Sequence, residues 1–374
     1  MLFEFTEEEV LIRDTARKMA AEIVAPLAPV LDRGEGRKAF LKNLKALAEA
    51  GFMAVNVRAE FGGTEAGTVA FAQVIEELGY ACAATGVTAS VTNMVAEVIQ
   101  AVGSDAQRQA YIPRIADGTY PAAGFCLTES GAGSDPAGMK TRARRDGDGF
   151  VLDGEKVYIT SAEYAGLFVV WAVTDPDAPK GKGISCFLVE AGTPGLSIGK
   201  AETKLGQHGS ATNTVHFDGC RVPATALMGR LNDGFRVAVG ELAGGRIGVA
   251  SLSLGIARAA MDAAKAYVKE RRQFGQAIAD FQGIQWMVAD RETELEAARL
   301  LILSAAAKKD RGEPFGREAS MAKLFASEAA GRATDTALQL HGGAGYCADY
   351  PVERHLRDAR ITRIYEGTSE VQRL

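Results

Sequence analysis

Cysteine is scarce and scattered: Cys82, Cys126, Cys186, Cys220 and Cys347 show no Cys-x-x-Cys spacing. That pattern argues against a disulfide framework and predicts free, mostly buried thiols. Histidine is rarer still, and His208, His216, His341 and His355 form no i, i+4 pair and no cluster with cysteine. A metal site is therefore not expected. Charge gives no general attraction to polyanions, since 42 basic and 47 acidic residues leave a net charge of −5. Partners such as nucleic acid or an anionic membrane are not expected on that balance. No stretch reads as a membrane span of about 20 apolar residues. Glu4, Glu7, Glu8, Glu9 and Asp14 stand where a signal peptide carries a basic start and an apolar run, which predicts a cytoplasmic protein. Internal repeats, low-complexity segments and long charged runs are missing too.

The 374 residues, 47% of them hydrophobic, are enough for two or three packed domains. Periodicity divides them. Residues 1–119 read as an α-helical domain, with apolar residues at helical spacing and breaks at Pro26-Leu27-Ala28-Pro29 and Phe61-Gly62-Gly63-Thr64. Residues 120–228 carry short β-rich runs, such as Leu167 to Val173 and Ile184 to Val189, separated by Asp-Gly, Pro-Asp and Pro-Gly turns. They predict a small antiparallel barrel or sandwich. Residues 229–374 turn helical again. Ile247, Ala250, Leu254, Ala257, Met261, Ala264 and Val268 line one stripe of a long helix, and two further long helices complete the expectation of a four-helix bundle. The fold class is α+β, mainly α.

Chemistry concentrates near the end, in Arg363-Ile364-Tyr365-Glu366-Gly367-Thr368-Ser369-Glu370. Removing a weakly acidic C–H proton needs a carboxylate whose pKa is raised by apolar surroundings, and a following glycine admits substrate close to the backbone. Glu366 is the candidate base, although a Glu-Gly pair alone is more often a solvated turn. Two more segments stand upstream: Phe125-Cys126-Leu127-Thr128-Glu129-Ser130-Gly131-Ala132-Gly133-Ser134-Asp135, and Glu270-Arg271-Arg272-Gln273-Phe274-Gly275 followed by Phe281-Gln282. The glycines can offer backbone N–H groups to an anion, but the loop lacks both Gly-x-Gly-x-x-Gly and Gly-Lys-Ser/Thr, so a plain turn stays open. Arg271 can grip phosphate bidentately or merely favour a helix C-terminus. Tyr158 can stack on a ligand or pack on a sheet. Arg246 can meet a ligand or be a partly buried structural arginine.

In this order and at these separations, the three segments resemble the acyl-CoA dehydrogenase family, FAD enzymes that insert a double bond between the α and β carbons of an acyl-CoA. The resemblance covers nearly the whole chain and implies helical, β and helical-bundle domains. It also implies FAD contacts at Phe125, Leu127, Thr128, Gly133, Ser134, Tyr158, Thr160, Thr368 and Glu370. Arg271, Gln273, Phe274, Phe281, Gln282, Gln339, Leu340, Gly342 and Gly343 would hold FAD seated mainly in another subunit of a homotetramer. Ser134, Gly245, Arg246, Tyr365 and Gly367 would touch substrate, and electrons would leave to electron-transferring flavoprotein. Two departures stand out. Most relatives have Trp where Tyr158 stands. Some relatives place the base immediately before the arginine matching Arg246; this chain has Gly245 there, which leaves Glu366.

Gly244-Gly245-Arg246-Ile247, Ser251-Leu252-Ser253-Leu254-Gly255 and Ser320-Met321-Ala322-Lys323-Leu324 resemble isobutyryl-CoA dehydrogenase within the family. The uncharged run from Gly86 to Val95 suits a short straight or branched acyl chain. Alternatives within the fold are an oxidase using oxygen, a DNA-associated flavoprotein, for which the chain lacks a basic patch, and a non-catalytic acyl-CoA binder, which has no need of Glu366.

Overall fold

The computed structural model describes residues 4–374. Thr6 opens the first helix with a reciprocal cap: its hydroxyl accepts from the Glu9 N–H at 3.1 Å while the Glu9 carboxylate accepts from the Thr6 N–H at 2.7 Å. This helix, α1 (Glu7–Met19), passes through a π turn into the short α2 (Ala28–Asp32). Then come α3 (Arg37–Glu49), α4 (Gly67–Ala81), α5 (Ala83–Val102) and α6 (Asp105–Ala116). Helices α4 and α5 are apolar on nearly every face and are buried accordingly. No side chain of its own caps α4; its Thr68 and Val69 amides donate to the Asp310 carboxylate at 2.6 and 3.0 Å.

Eight strands follow: β1 (Ala122–Cys126), β2 (Arg142–Asp146), β3 (Gly149–Thr160), β4 (Ala165–Val173), β5 (Ile184–Glu190), β6 (Leu196–Ala201), β7 (Thr212–Pro223) and β8 (Leu227–Met228). They run in the order β6-β7-β3-β2-β4-β5-β8, with β1 alongside β4. The expectation of a wholly antiparallel domain is corrected at two pairings: β4 lies parallel to β1 and, at one residue pair, parallel to β2. The glycine loop and the β2-β3 hairpin separate β1 from β4, and a connection of that length permits a parallel return. The β3-β7 ladder breaks register between Lys156 and Ile159, and this bulge turns Tyr158 outward.

The last domain opens with α7 (Gly234–Glu270), then a tight hairpin of β9 (Arg272–Gln273) and β10 (Gln276–Ala277), then α8 (Gln282–Asp310), α9 (Gly316–His341) and α10 (Val352–Arg360). Every residue of the stripe from Ile247 to Val268 is buried. The fourth helix of the bundle, α10, is only 9 residues long. Contrary to the sequence expectation, α7 is long and apolar enough to cross a membrane; 83% of its apolar window is buried inside the protein, as in a core helix. Ion pairs tie the layers together, Arg258 of α7 reaching Glu76 and Glu77 of α4 at 2.6 and 3.3 Å. Arg17 of α1 and Arg299 of α8 join the same two carboxylates at 3.0 and 2.7 Å.

Candidate active site and flavin surfaces

After α10 the chain makes a tight turn in which Glu366 and Gly367 both adopt left-handed backbone, φ 55° and 88°. Glycine suits the second position, because φ 88° strains any L side chain and a Cβ there would push against Gln372 Nε2 at 2.6 Å, which bonds the turn. A left-handed glutamate costs on the order of 1–3 kcal/mol and persists only where its surroundings over-determine it. Here they do: Gln372 Nε2 donates to the Glu366 and Gly367 carbonyls at 2.9 and 3.0 Å, and Lys323 Nζ donates to the Gly367 carbonyl at 2.6 Å.

The turn drives the Glu366 carboxyl inward, where Oε2 has no hydrogen-bond partner. Gly245 makes room for it, since a Cβ at 245 would lie 2.9 Å from Glu366 Oε2 and 2.9 Å from Met94 Sδ. Burial pushes the Glu366 carboxyl up to about 7, with the charges of Arg246 and Lys323 pulling the other way. A carboxyl half-ionised at neutral pH, with a free lone pair, is poised for proton transfer.

Arg246, next along α7, donates from Nη1 to Ser320 Oγ at 2.9 Å, and its Nε is unpartnered. Tyr365 packs behind the turn, its hydroxyl accepting from Gln207 Nε2 at 3.3 Å; burial pushes that hydroxyl well up. Gln207 is held in turn by its amide's bond to the buried Asp358 carboxyl, which burial raises to about 6. Glu366, Gly245, Arg246, Tyr365 and Gly367 thus form one cluster. Thr368 lies in the same turn and caps the Val371 N–H at 3.3 Å; Glu370 is exposed at the start of the last 3-10 turn.

A second surface lies on the β domain. The Thr128 carbonyl accepts from the Val157 N–H at 2.9 Å, which sets the segment after β1 beside Tyr158. The Tyr158 ring is 65% exposed and its backbone is left-handed at φ 58°, so it does not serve as a packed strand aromatic. Thr160 pairs with Thr212 at the end of β3. Phe125 packs on Trp171, ring centroids 4.3 Å apart. Gly133 has open space around it and Ser134 is exposed, while Asp135 pairs with Lys180.

Beneath this surface is an ion pair that sequence reading missed. Lys156 Nζ donates to Glu129 Oε1 at 2.8 Å and to the Leu127 carbonyl at 3.1 Å. Glu129 also accepts from the amides of Lys140 and Thr141 at 2.6 and 3.0 Å. Burial raises the Glu129 pKa, yet the Lys156 charge and these bonds outweigh it and hold the carboxyl below its ordinary value. Burial also lowers the Lys156 ammonium. The pair is ionic, because the donors converge on the carboxylate. Alternation along β3 does not give this signal, because the strand breaks register between Leu152 and Gly154 and residues 153–155 are exposed before the buried Lys156.

The third surface is a groove of about 830 Å³ at the far end of α7. It gathers Arg271, Gln273, Phe274, Phe281, Gln339, Leu340, Gly342 and Gly343 from segments that are distant in sequence; Gln282 stands at the first position of α8 beside Phe281. Tyr267 stacks on His341 at 4.3 Å and stiffens one wall. Phe274 is 94% exposed and left-handed at φ 52°, its ring edge-to-face with Phe281 at 6.1 Å and otherwise open to solvent. Arg271 makes no ion pair among the described residues, leaving its guanidinium for an outside anion. Arg271→Ala is expected to lower FAD content and assembly size together, read from the flavin-to-protein absorbance ratio and light scattering. A fully flavinated variant of unchanged mass would contradict that role.

FAD fits these surfaces: an unpacked aromatic beside free threonine and backbone groups, and an unpaired arginine in a glycine-lined groove. Together with a buried carboxyl poised to take a proton, they define a flavoprotein oxidoreductase. The chain belongs to the acyl-CoA dehydrogenase family. The family's N-terminal, middle and C-terminal domains match residues 6–119, 124–220 and 232–374. It is an oxidoreductase acting on the CH–CH group of an acyl-CoA, and FAD is its cofactor. It is 42% identical to the rat mitochondrial short/branched chain specific acyl-CoA dehydrogenase over 98% of this chain and 84% of that one. It is 43% identical to acryloyl-CoA reductase (NADH) of Anaerotignum propionicum over 100% and 94% of the two chains. The structure of butyryl-CoA dehydrogenase from Megasphaera elsdenii superposes with a TM-score of 0.95 at 37% identity, covering 100% of this chain and 97% of that one.

Proposed function

We propose that this protein converts short straight or branched acyl-CoA thioesters to 2-enoyl-CoA, with Glu366 as the base, and passes electrons to electron-transferring flavoprotein. The observation that carries the reading is the unpartnered Glu366 Oε2, buried against Gly245 and Met94. Bound FAD supplies the acceptor for the hydride that leaves the β carbon. Glu366 takes the α proton, so that the electron pair of that C–H bond closes the new double bond as the β hydride departs. Tyr365 and Gly367 shape the turn around the base, and the Arg246 charge lies beside it. FAD's flavin end is assigned to Phe125, Leu127, Thr128, Gly133, Ser134, Tyr158, Thr160, Thr368 and Glu370, with Ser134 also meeting substrate.

Chain length is read from the same helices. One turn beyond Gly245, a Cβ at Gly248 would stand 2.3 Å from Ser90 Oγ and 3.3 Å from the Phe71 ring. Helices α4, α5 and α7 close together there, which favours a short acyl group, and the uncharged α5 wall disfavours a dicarboxylic one.

The groove supports an assembly of subunits. Arg246 and Arg271 are separated along α7 by about 37 Å, farther than one extended dinucleotide reaches. The groove residues therefore serve a cofactor whose flavin belongs to a partner, as in a homotetramer built as a dimer of dimers. Anaerobic titration of the flavinated protein with butyryl-, isobutyryl-, 2-methylbutyryl- and octanoyl-CoA tests the substrate reading. Rapid bleaching by a short thioester and slow bleaching by octanoyl-CoA are expected; preference for octanoyl-CoA would overturn the assignment. A carboxyl titrating near 7 serves proton removal and proton return alike, and the 43% identity to an acryloyl-CoA reductase makes the reverse reaction the second reading. Net reduction of acryloyl-CoA by the pre-reduced enzyme, faster than propionyl-CoA oxidation, would favour it.

A further inference from the structure

Lys323 lies on the apolar stripe of α9. Ala319, Ala326 and Ala330 are spaced from it by helical steps and all are buried, yet this position carries an ammonium with no exposed surface. A buried cation among alanines is costly unless it has a task. Its hydrogen-bond acceptor among the described residues is the Gly367 carbonyl, at 2.6 Å, the residue directly after the base.

We propose that Lys323 is a positioning residue: its bond to the Gly367 carbonyl fixes the left-handed turn, and its buried charge beside that turn favours the ionised, basic form of the Glu366 carboxyl. The inference rests on Glu366 as the base. Four elements surround that carboxyl. Helix α7 brings Arg246, α9 brings Lys323, the turn itself brings Tyr365, and α5 brings uncharged Met94. Arg246 is engaged by Ser320, whereas the bond made by Lys323 goes to the turn itself. Burial lowers the Lys323 ammonium to about 8, with Arg246 acting in the same direction and Glu366, Glu328 and Glu370 against it, so Lys323 is charged over the acid side of the range in which Glu366 titrates and loses its proton toward the alkaline side. Gln372 bonds the same Gly367 carbonyl, and the Glu366 carbonyl beside it, without charge, so geometry and charge can be separated experimentally.

The test follows the Glu366 carboxyl stretch by infrared titration of the holoenzyme, assigned by its loss in Glu366→Gln, together with the pH profile of kcat/KM. In Lys323→Met both inflections are expected to move to higher pH, with kcat/KM on the acid limb falling about tenfold for each unit of displacement. Lys323→Arg keeps the charge and should leave both inflections in place. Gln372→Leu should lower the rate at all pH values without moving them. A carboxyl band that titrates at the same pH in Lys323→Met would overturn this inference and leave the base reading intact. Full turnover in Glu366→Gln would overturn the base reading itself. Lys323→Gln answers the same question if the methionine variant does not fold. Should neither fold while Lys323→Arg does, the charge serves stability and the proposal fails.

Discussion

Glu366→Gln is expected to retain FAD and to lose turnover by about 10²–10⁴-fold or more, the range general-base removal typically costs. The substitution is nearly isosteric, and the bonds that fix the turn, from Lys323 and Gln372, go to backbone carbonyls that glutamine leaves unchanged. Glutamine also meets the same left-handed backbone on similar terms. What it lacks is a basic lone pair at the atom facing Gly245. The check is kcat with flavin content measured on the same preparation. Loss of flavin along with activity would show a structural defect, and retention of activity would move the base elsewhere. Aspartate at 366 is expected to fall between the two, because it keeps the basic group but withdraws it by one methylene.

Lys156→Met is expected to destabilise the protein by about 3–5 kcal/mol, the usual consequence of leaving a buried charge without its partner. Glu129 is buried and would keep only its two backbone donors, while the Leu127 carbonyl would lose its lysine. That carbonyl precedes Thr128 directly, so flavin retention should weaken too. Adding Glu129→Gln should recover part of the loss, since a neutral amide oxygen still accepts from Lys140 and Thr141. Denaturant midpoints of the single and double variants measure both effects. A single variant as stable as the wild type would show that the pair contributes nothing net.

The sequence made the helices legible where one physical signal dominates. Thr6 with Glu9 announces a capped helix, the stripe from Ile247 to Val268 announces a buried one, and glycines after His341 end another. Glu366 stands out in the sequence because a carboxylate next to glycine, in a segment otherwise basic or small and polar, is locally unusual, and the family resemblance adds that Gly245 stands where some relatives carry the base. Other features depend on tertiary placement. The parallel pairing of β1 with β4 is decided by a long connection, not by propensity. The exposure of Tyr158 follows from a bulge, and residue alternation alone does not place one. Lys323 shares a helical stripe with buried alanines, but lysine is so often solvated that the period alone does not mark it as buried, and the β3 bulge before Lys156 hides its burial from alternation. Arg271 and Phe274 make sense only once the groove is assembled from three helices.

The most direct measurement is anaerobic rapid mixing of wild-type and Glu366→Gln holoenzyme with butyryl-CoA, following the absorbance of oxidised flavin. Wild-type flavin is expected to bleach within one turnover, while the variant binds the thioester and stays yellow. Bleaching of the variant at the wild-type rate would contradict Glu366 as the group that takes the α proton.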